Sequence, residues 1–306
     1  MDWTWWILSS AFFLALYDLC KKAGVSGNAV FPVLLVSSCA GFLAYASALA
    51  AGGALAGAAA ALDGRVLALS AGKVAVVGTS WIFTFTALRT LPVSIATPIR
   101  ASAPALVCAM AFFLYGERPS PLQGAGMACV FAGYFAFSLA GRREGIDFAR
   151  NRAVWCAFAG AFFSALSAIW DKYVFQVCAA PVEGVQLAFQ AGLVVFYAVA
   201  AAFAHRLHAA AASRAAASSS SSVSSPRFQW RWSIPATGAL LAAADWLYFR
   251  GLACPDAPVS AASLVRRVSV VVVFFAGARI FHETNIARKA AALAAIVAGV
   301  VLICLG

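Results

Sequence analysis

Charge is what this 306-residue sequence has least of. Lys, Arg, Asp and Glu make up 11% of it, against about 25% in a soluble domain, which is too little to cover a water-facing surface. Acidic residues are the scarcest, 11 against 22 Lys and Arg, giving a formal charge of +11. In a soluble chain that balance would suggest nucleic acid. Here most basic residues stand between apolar runs, where membrane topology accounts for them, so no nucleic-acid partner is expected. There are only three histidines, His205, His208 and His282, and none sits in an HxxxxD, HExxH or Ser-His-Asp arrangement. The usual signatures of a metal site or hydrolytic triad are therefore missing, and neither an enzyme nor a metal or cofactor is expected. The eight cysteines form no CxxC pair. Cys39, Cys108, Cys129, Cys156 and Cys304 lie in apolar runs and read as free thiols packing as small hydrophobes. The N-terminus lacks the basic residues that open a cleaved signal peptide, so its apolar run is expected to stay as a first helix.

Apolar side chain is abundant: 63% of residues, with a mean hydropathy of +0.88. Runs of helix length recur from end to end, and about 20 apolar residues cross a bilayer. Ten spans can be drawn, at 3–20, 28–50, 72–89, 93–115, 121–140, 153–175, 185–204, 232–251, 258–281 and 288–305. None shows period-2 alternation, and backbone groups in lipid must be paired within helices or a closed barrel. The expected fold is an all-α integral membrane protein of ten transmembrane helices. Residues 51–71 read as an Ala/Gly-rich connection, and 205–231, with AAASSSSSVSSP, as a flexible solvated linker. The polar stretch GRREGIDFARNR, 141–152, divides the chain into halves at 1–140 and 153–306, each with five spans.

The halves share a text. PVSIATPIR at 92–100 returns as PVSAASLVR at 258–266. A shift of 166 carries Pro92, Val93 and Ser94 onto Pro258, Val259 and Ser260, Arg100 onto Arg266, Glu117 onto Glu283 and Gly133 onto Gly299. A shift of 150 carries Ala11-Phe12-Phe13 onto Ala161-Phe162-Phe163, Leu16 onto Leu166 and Lys22 onto Lys172. Apolar agreement comes easily by chance; Pro, Arg and Glu in register do not. Because five is odd, two such units in series insert with opposite orientation, the architecture of many secondary transporters with a site between the repeats near the midplane.

These residues carry a resemblance. The run from Ala87-Leu88 through PVSIATPIR to Gly116-Glu117-Arg118 and Gly133, with Gly251-Leu252 through PVSAASLVRR to Glu283 and Gly299, resembles the EamA family of the drug/metabolite transporter superfamily. That resemblance implies two EamA-type units, ten helices around a central cavity, helices five and ten peripheral, and solute transport without an organic cofactor. The chain departs from the pattern at His282-Glu283-Thr284, where Gly-Glu is usual, and in carrying arginines on helices four and nine, where many relatives are apolar. The second departure speaks against an apolar substrate.

Most basic residues flanking the spans fall on one side: Lys21, Lys22, Arg89, Arg142, Arg143, Arg150, Arg152, Arg206, Arg214, Arg227, Arg231, Arg288 and Lys289. The other side has Arg65, Lys73 and Arg118. The positive-inside rule puts the rich side in the cytoplasm and both termini outside, with a bacterial plasma membrane as the expected location.

Ionisable groups inside spans cost about 2.5 kcal/mol or more at a helix centre, so each needs a partner, a wet cavity or a role. Arg100 and Arg266, matched across the repeat, could grip an anionic substrate with their planar forks, or pair with the protein's own carboxylates or an interface. Arg267 lies about 100° round the helix from Arg266, so both reach a cavity only at its edges. Asp18 and Lys22 share a helix face; the adjacent Asp171 and Lys172 do not. Asp18 and Asp171, with Lys22 and Lys172, are candidates for coupling, and the two carboxylates, near span ends, also admit a solvated reading. Asp245 is deeper, with no basic residue at i±3 or i±4. It is either a proton-coupling carboxyl or the partner of Arg100 or Arg266. Trp81 and Trp246 correspond at a shift of 165 and suit cavity walls or plain packing. Pro92, Pro98 and Pro104 predict a bent helix four beside a straighter helix nine, which has only Pro258 near its start. Glu117 and Glu283, at span ends, suit capping or interface roles. The leading expectation is a secondary transporter, embedded in the lipid bilayer, of a small polar or anionic solute. A lipid or lipid-phosphate translocator is the alternative and a membrane enzyme the weaker third.

Overall fold

The computed structural model describes residues 2–90, 103–139, 152–217, 228–269 and 286–305, and every regular element among them is helical. The helices are α1 (Trp3–Val25), α2 (Val30–Ala51), the short α3 (Leu55–Ala60), α4 (Gly64–Thr90), α5 (Ala103–Tyr115) and α6 (Pro121–Leu139). They continue with α7 (Arg152–Lys172), α8 (Val182–Ala217), α9 (Ser233–Leu252), α10 (Val259–Val265) and α11 (Ile286–Leu305). A π-helical turn, Tyr173–Val177, prolongs α7, and a 3-10 turn, Arg266–Val268, prolongs α10. By length and composition Trp3–Val25, Val30–Ala51, Gly64–Ala87, Arg152–Val177 and Val182–Arg206 can each cross a membrane unaided. The chain is an integral membrane protein.

Helix pairing follows a pattern. α1 lies along α9 and α7 along α4; α2 packs on α9 and α8 on α4; α2 also meets α8, and α6 pairs with α11. Small residues permit the closest approaches, since lipid supplies no hydrophobic drive between helices and packing must. A Cβ added to Gly41 would come within 2.9 Å of the Gly238 carbonyl oxygen, and one on Gly126 within 2.6 Å of that of Gly299. The α2–α9 and α6–α11 contacts are thus backbone on backbone.

The connections sort to two ends of the bundle. At one, Asn28, fully buried between α1 and α2, donates to the carbonyls of Gly24 (3.1 Å) and Gln229 (2.7 Å), and accepts from the N–H groups of Ala29 and Gln229 (both 2.9 Å). Arg231 donates to the carbonyls of Ala23 and Ser26 beside it. At the other, Arg65 donates to the Cys178 carbonyl (3.1 Å), Glu183 pairs with Arg250, and Glu117 meets α10. Ser120 and Gln123 form a reciprocal capping box at the start of α6 (3.1 and 3.2 Å). Exposed Trp155, Trp230 and Trp232 at the Asn28 end and Trp5 and Tyr173 at the other leave exposed Phe113, Phe135, Val195 and Val199 between them, the distribution expected of interfacial aromatics flanking a lipid-facing band.

Two expectations need correction. Residues 51–71 are not a plain connection: they contain α3 and the first two turns of α4, because VLALS continues the apolar run upstream of residue 72. The segment 205–231 is helical as far as Ala217, since Ala-rich sequence favours helix wherever serine does not interrupt it. Of helix nine the described part is α10 and the 3-10 turn Arg266–Val268, while Pro92 and Pro98 of helix four lie outside the described residues.

Candidate functional site

α1, α4, α5, α7, α8, α9 and α10 with its 3-10 turn line a cavity of about 170 Å³. Liquid water takes ~30 Å³ per molecule, so the space suits a small solute. Four basic side chains border it, Lys21, Lys73, Arg266 and Arg267, with two carboxylates, Asp171 and Asp245. Among the described lining residues that is a surplus of two positive charges. Ser80, Thr84, Ser164, Ser167 and Ser263 add hydroxyls, and Tyr17, Trp81 and Tyr248 aromatic faces.

Each ion is positioned by its helix. Lys73 lies nine residues into α4, and its ammonium pairs with Asp171 at the end of α7. At 2% and 3% exposed, neither is a solvated loop residue. The rings of Phe189 (4.7 Å) and Phe249 (4.3 Å) face the same ammonium, so lysine is held by a carboxylate and two quadrupoles. Arg266 Nη2 donates to Asp245 Oδ1 at 2.5 Å, and its guanidinium lies 4.4 Å from the Tyr248 ring centre. Lys21, buried one position before Lys22, lies 5.1 Å from the Tyr17 ring and 4.6 Å from Phe85. Trp81 stacks on Tyr197 with centroids 6.2 Å apart and planes 10° apart.

A second cluster closes the end away from Asn28. Glu117, just after α5, accepts from Lys172 Nζ at 2.6 Å, from the N–H groups of Val259 (2.8 Å) and Ser260 (3.2 Å), and from the Ser260 hydroxyl at 2.5 Å. Pro258, which has no N–H to offer, precedes α10 with an extended backbone, and Glu117 satisfies the first free donors of that helix. Burial alone would push the Glu117 carboxyl up, but the bonds from Lys172, Ser260 and Val259 outweigh it and hold it below the ordinary carboxylate range.

The structure therefore brings Arg266, Arg267, Trp81, Asp171 and Asp245 to one cavity. Arg267 belongs to the lining with Arg266, the two opening the 3-10 turn that follows α10. Asp171 departs from its solvated reading, because α7 ends inside the bundle opposite Lys73. Asp245 is the partner of Arg266. Lys172 and Asp171 look apart, to Glu117 and Lys73, as adjacent helix positions must. Trp246 is not in the lining; it packs edge-on against Trp6 and beside Arg250. Asp18 and Lys22 sit on α1 away from the cavity lining. Arg100, Glu283 and Pro92 lie outside the described residues.

Sequence reading missed Lys21 and Lys73, both counted as loop charges. The signals were present. The shift of 150 that matches Lys22 with Lys172 sets Lys21 against Asp171, and the apolar VLALS before Lys73 places it inside a span.

Residues 1–139 match the model of the EamA-like transporter family. Among curated proteins none matches the chain. A solved crystal structure, described only as that of a protein, superposes with a TM-score of 0.71 at 20% identity over 98% of this chain and 95% of its own. At that identity the likeness concerns the fold, which is thus shared along almost the whole length.

Proposed function

From the match of residues 1–139 to the EamA-like transporter family model, we propose that the chain is a secondary transporter of a small anionic metabolite. It works by alternating access between two inverted five-helix repeats of a ten-helix bundle. The observation that carries this is the cavity itself: four cations and two carboxylates inside a hydrophobic bundle, bordered by helices of both halves. Ionisable groups at such depth mark solute pathways, and the predominance of basic side chains among the described lining residues favours anions.

The helix pairings support the inverted arrangement. α1 on α9 is answered by α7 on α4, and α2 on α9 by α8 on α4, while α2–α8 and α6–α11 answer themselves. This is what a twofold relation between first-half and second-half helices requires. The rocking of one half against the other would then expose the cavity to each side in turn. On the positive-inside rule, the Asn28 end faces the cytoplasm and both termini lie outside. Burial of Lys21 and Lys73 removes one residue from each side of the charge count and leaves its sign unchanged. A lipid translocator fits less well, since the cavity is small and its lining charged.

The test is thermal stability of the purified protein against organic anions, organic cations, amino acids and sugars, with wild type beside Arg266→Ala. A ligand at a hundred times its dissociation constant stabilises by about 2.7 kcal/mol. Stabilisation by an anion, lost in the variant, is expected. Stabilisation of both proteins by a cation or neutral solute alone would overturn the anion reading.

A further inference from the structure

We infer that Asp245 is a resident competitor for the substrate: it occupies Arg266 in the empty cavity, and an incoming carboxylate or phosphate takes its place. The inference rests on the anion-transport reading above. Arg266 presents only half of its fork to Asp245. Nη2 donates at 2.5 Å, whereas the buried Nε finds no acceptor among the described residues. A free oxyanion engages two guanidinium N–H groups at once, with better geometry than a single bond. A buried donor left unmade is itself destabilising, so the pair seen here is an incomplete version of the contact a bidentate ligand makes.

Of the Lys73–Asp171 and Arg266–Asp245 pairs in the cavity, the second is the one open to exchange. The side chains of Arg266 and Asp245 are 19% and 10% exposed, against 3% and 5% for Lys73 and Asp171. The Lys73 pair is moreover enclosed by Phe189 and Phe249, while Arg266 has one ring, Tyr248, along one side. The fold does not require a carboxylate where Asp245 stands. The interval of 165 residues that relates Trp81 to Trp246 relates Ser80 to Asp245, and Ser80 borders the same cavity with a neutral side chain. Asp245 is therefore better understood as a counter-ion held against Arg266 until substrate arrives than as a packing element.

The full-length protein in lipid nanodiscs is titrated with succinate, inorganic phosphate and, as a neutral control, glucose, comparing wild type with Asp245→Ser and Arg266→Lys. Removing a competitor strengthens binding, so Asp245→Ser is expected to bind the preferred anion at least about tenfold more tightly than wild type. Arg266→Lys, which keeps the charge and loses the fork, is expected to bind it more weakly. Succinate or phosphate as the tighter probe identifies the oxyanion. Equal or weaker anion binding by Asp245→Ser would overturn the inference while leaving anion transport standing, and Asp245 would then be a residue that positions Arg266. Failure of every anion to bind folded wild type would overturn the transport reading and this inference with it. Should Asp245→Ser not fold, Asp245→Asn removes the charge while keeping the shape, and the same outcomes apply.

Discussion

Lys21 and Asp171 stand 150 residues apart, the interval that carries Ala11-Phe12-Phe13 onto Ala161-Phe162-Phe163, and both border one cavity. Under the proposed repeat, equivalent places in the two halves thus hold opposite charges. Ser80 and Asp245 differ in the same way. The first half brings Lys21 and Lys73 to the cavity, and the second brings both carboxylates with Arg266 and Arg267. Under the proposed inversion the backbone is nearly symmetric while the site is polar from one half to the other, which suits a solute with distinct ends.

The Lys73–Asp171 pair provides a stability test. Removing one partner from a buried pair leaves a charge without compensation, at a cost of about 3–5 kcal/mol. Lys73→Met and Asp171→Leu are each expected to destabilise the protein by that order. The double variant should recover most of the loss, because two apolar groups replace two ions. Denaturation midpoints of the four proteins check this, and additive losses would show that the residues do not act as a pair.

Glu117 gives the end-closing cluster a pH dependence. Its folded carboxyl titrates below its ordinary value near 4.5, so the stabilisation is fully present above that value and disappears as pH falls through the lower folded one. Wild type is expected to be more stable than Glu117→Gln at pH 7, with the difference shrinking below about pH 4. Unfolding curves at several pH values measure the difference, and one independent of pH would exclude the carboxylate as its source.

Gly238 tests the α2–α9 contact. A Cβ there would fall on the Ser37 carbonyl oxygen, a backbone atom that cannot turn aside. Gly238→Val is expected to cost roughly 3 kcal/mol or more by forcing the helices apart. Gly57→Ala on α3, where nothing lies within 4 Å, should be neutral or stabilise by about 0.5–1 kcal/mol. The two melting temperatures, compared with wild type, decide the matter.

Orientation is tested by labelling. Ser26 lies at the Asn28 end and Asp63 at the opposite one. In a cysteine-free background on intact cells, a membrane-impermeant maleimide is expected to label Asp63→Cys and to spare Ser26→Cys. The reverse pattern would put both termini in the cytoplasm.

Much of the fold was legible because a bilayer imposes local rules. Helix follows from apolar runs that have no other way to pair their backbone, and the opposed ends follow from the alternation of helices and turns among the described residues. The candidate site was legible in part: Arg266, Arg267 and Asp245 stand out as charges deep in apolar sequence. Lys21 and Lys73 did not, since a lysine near a drawn span end looks the same in sequence whether it meets water or a carboxylate. Trp246 misled for a related reason. Matching positions in a repeat do not guarantee matching neighbours, and this ring found Trp6 and Arg250 instead of the cavity.

The sequence by itself determined that the chain enters a membrane as helices, that PVSIATPIR returns as PVSAASLVR, and that arginine recurs at one register. Those properties depend on residues within a span or on copies of one segment. Only the tertiary structure decided which charges meet. Lys73 and Asp171 are 98 residues apart, Glu117 and Ser260 143 apart, and no local pattern links them. They pair because close-packed small residues bring particular helix faces together, where each buried ion is stable only beside its opposite.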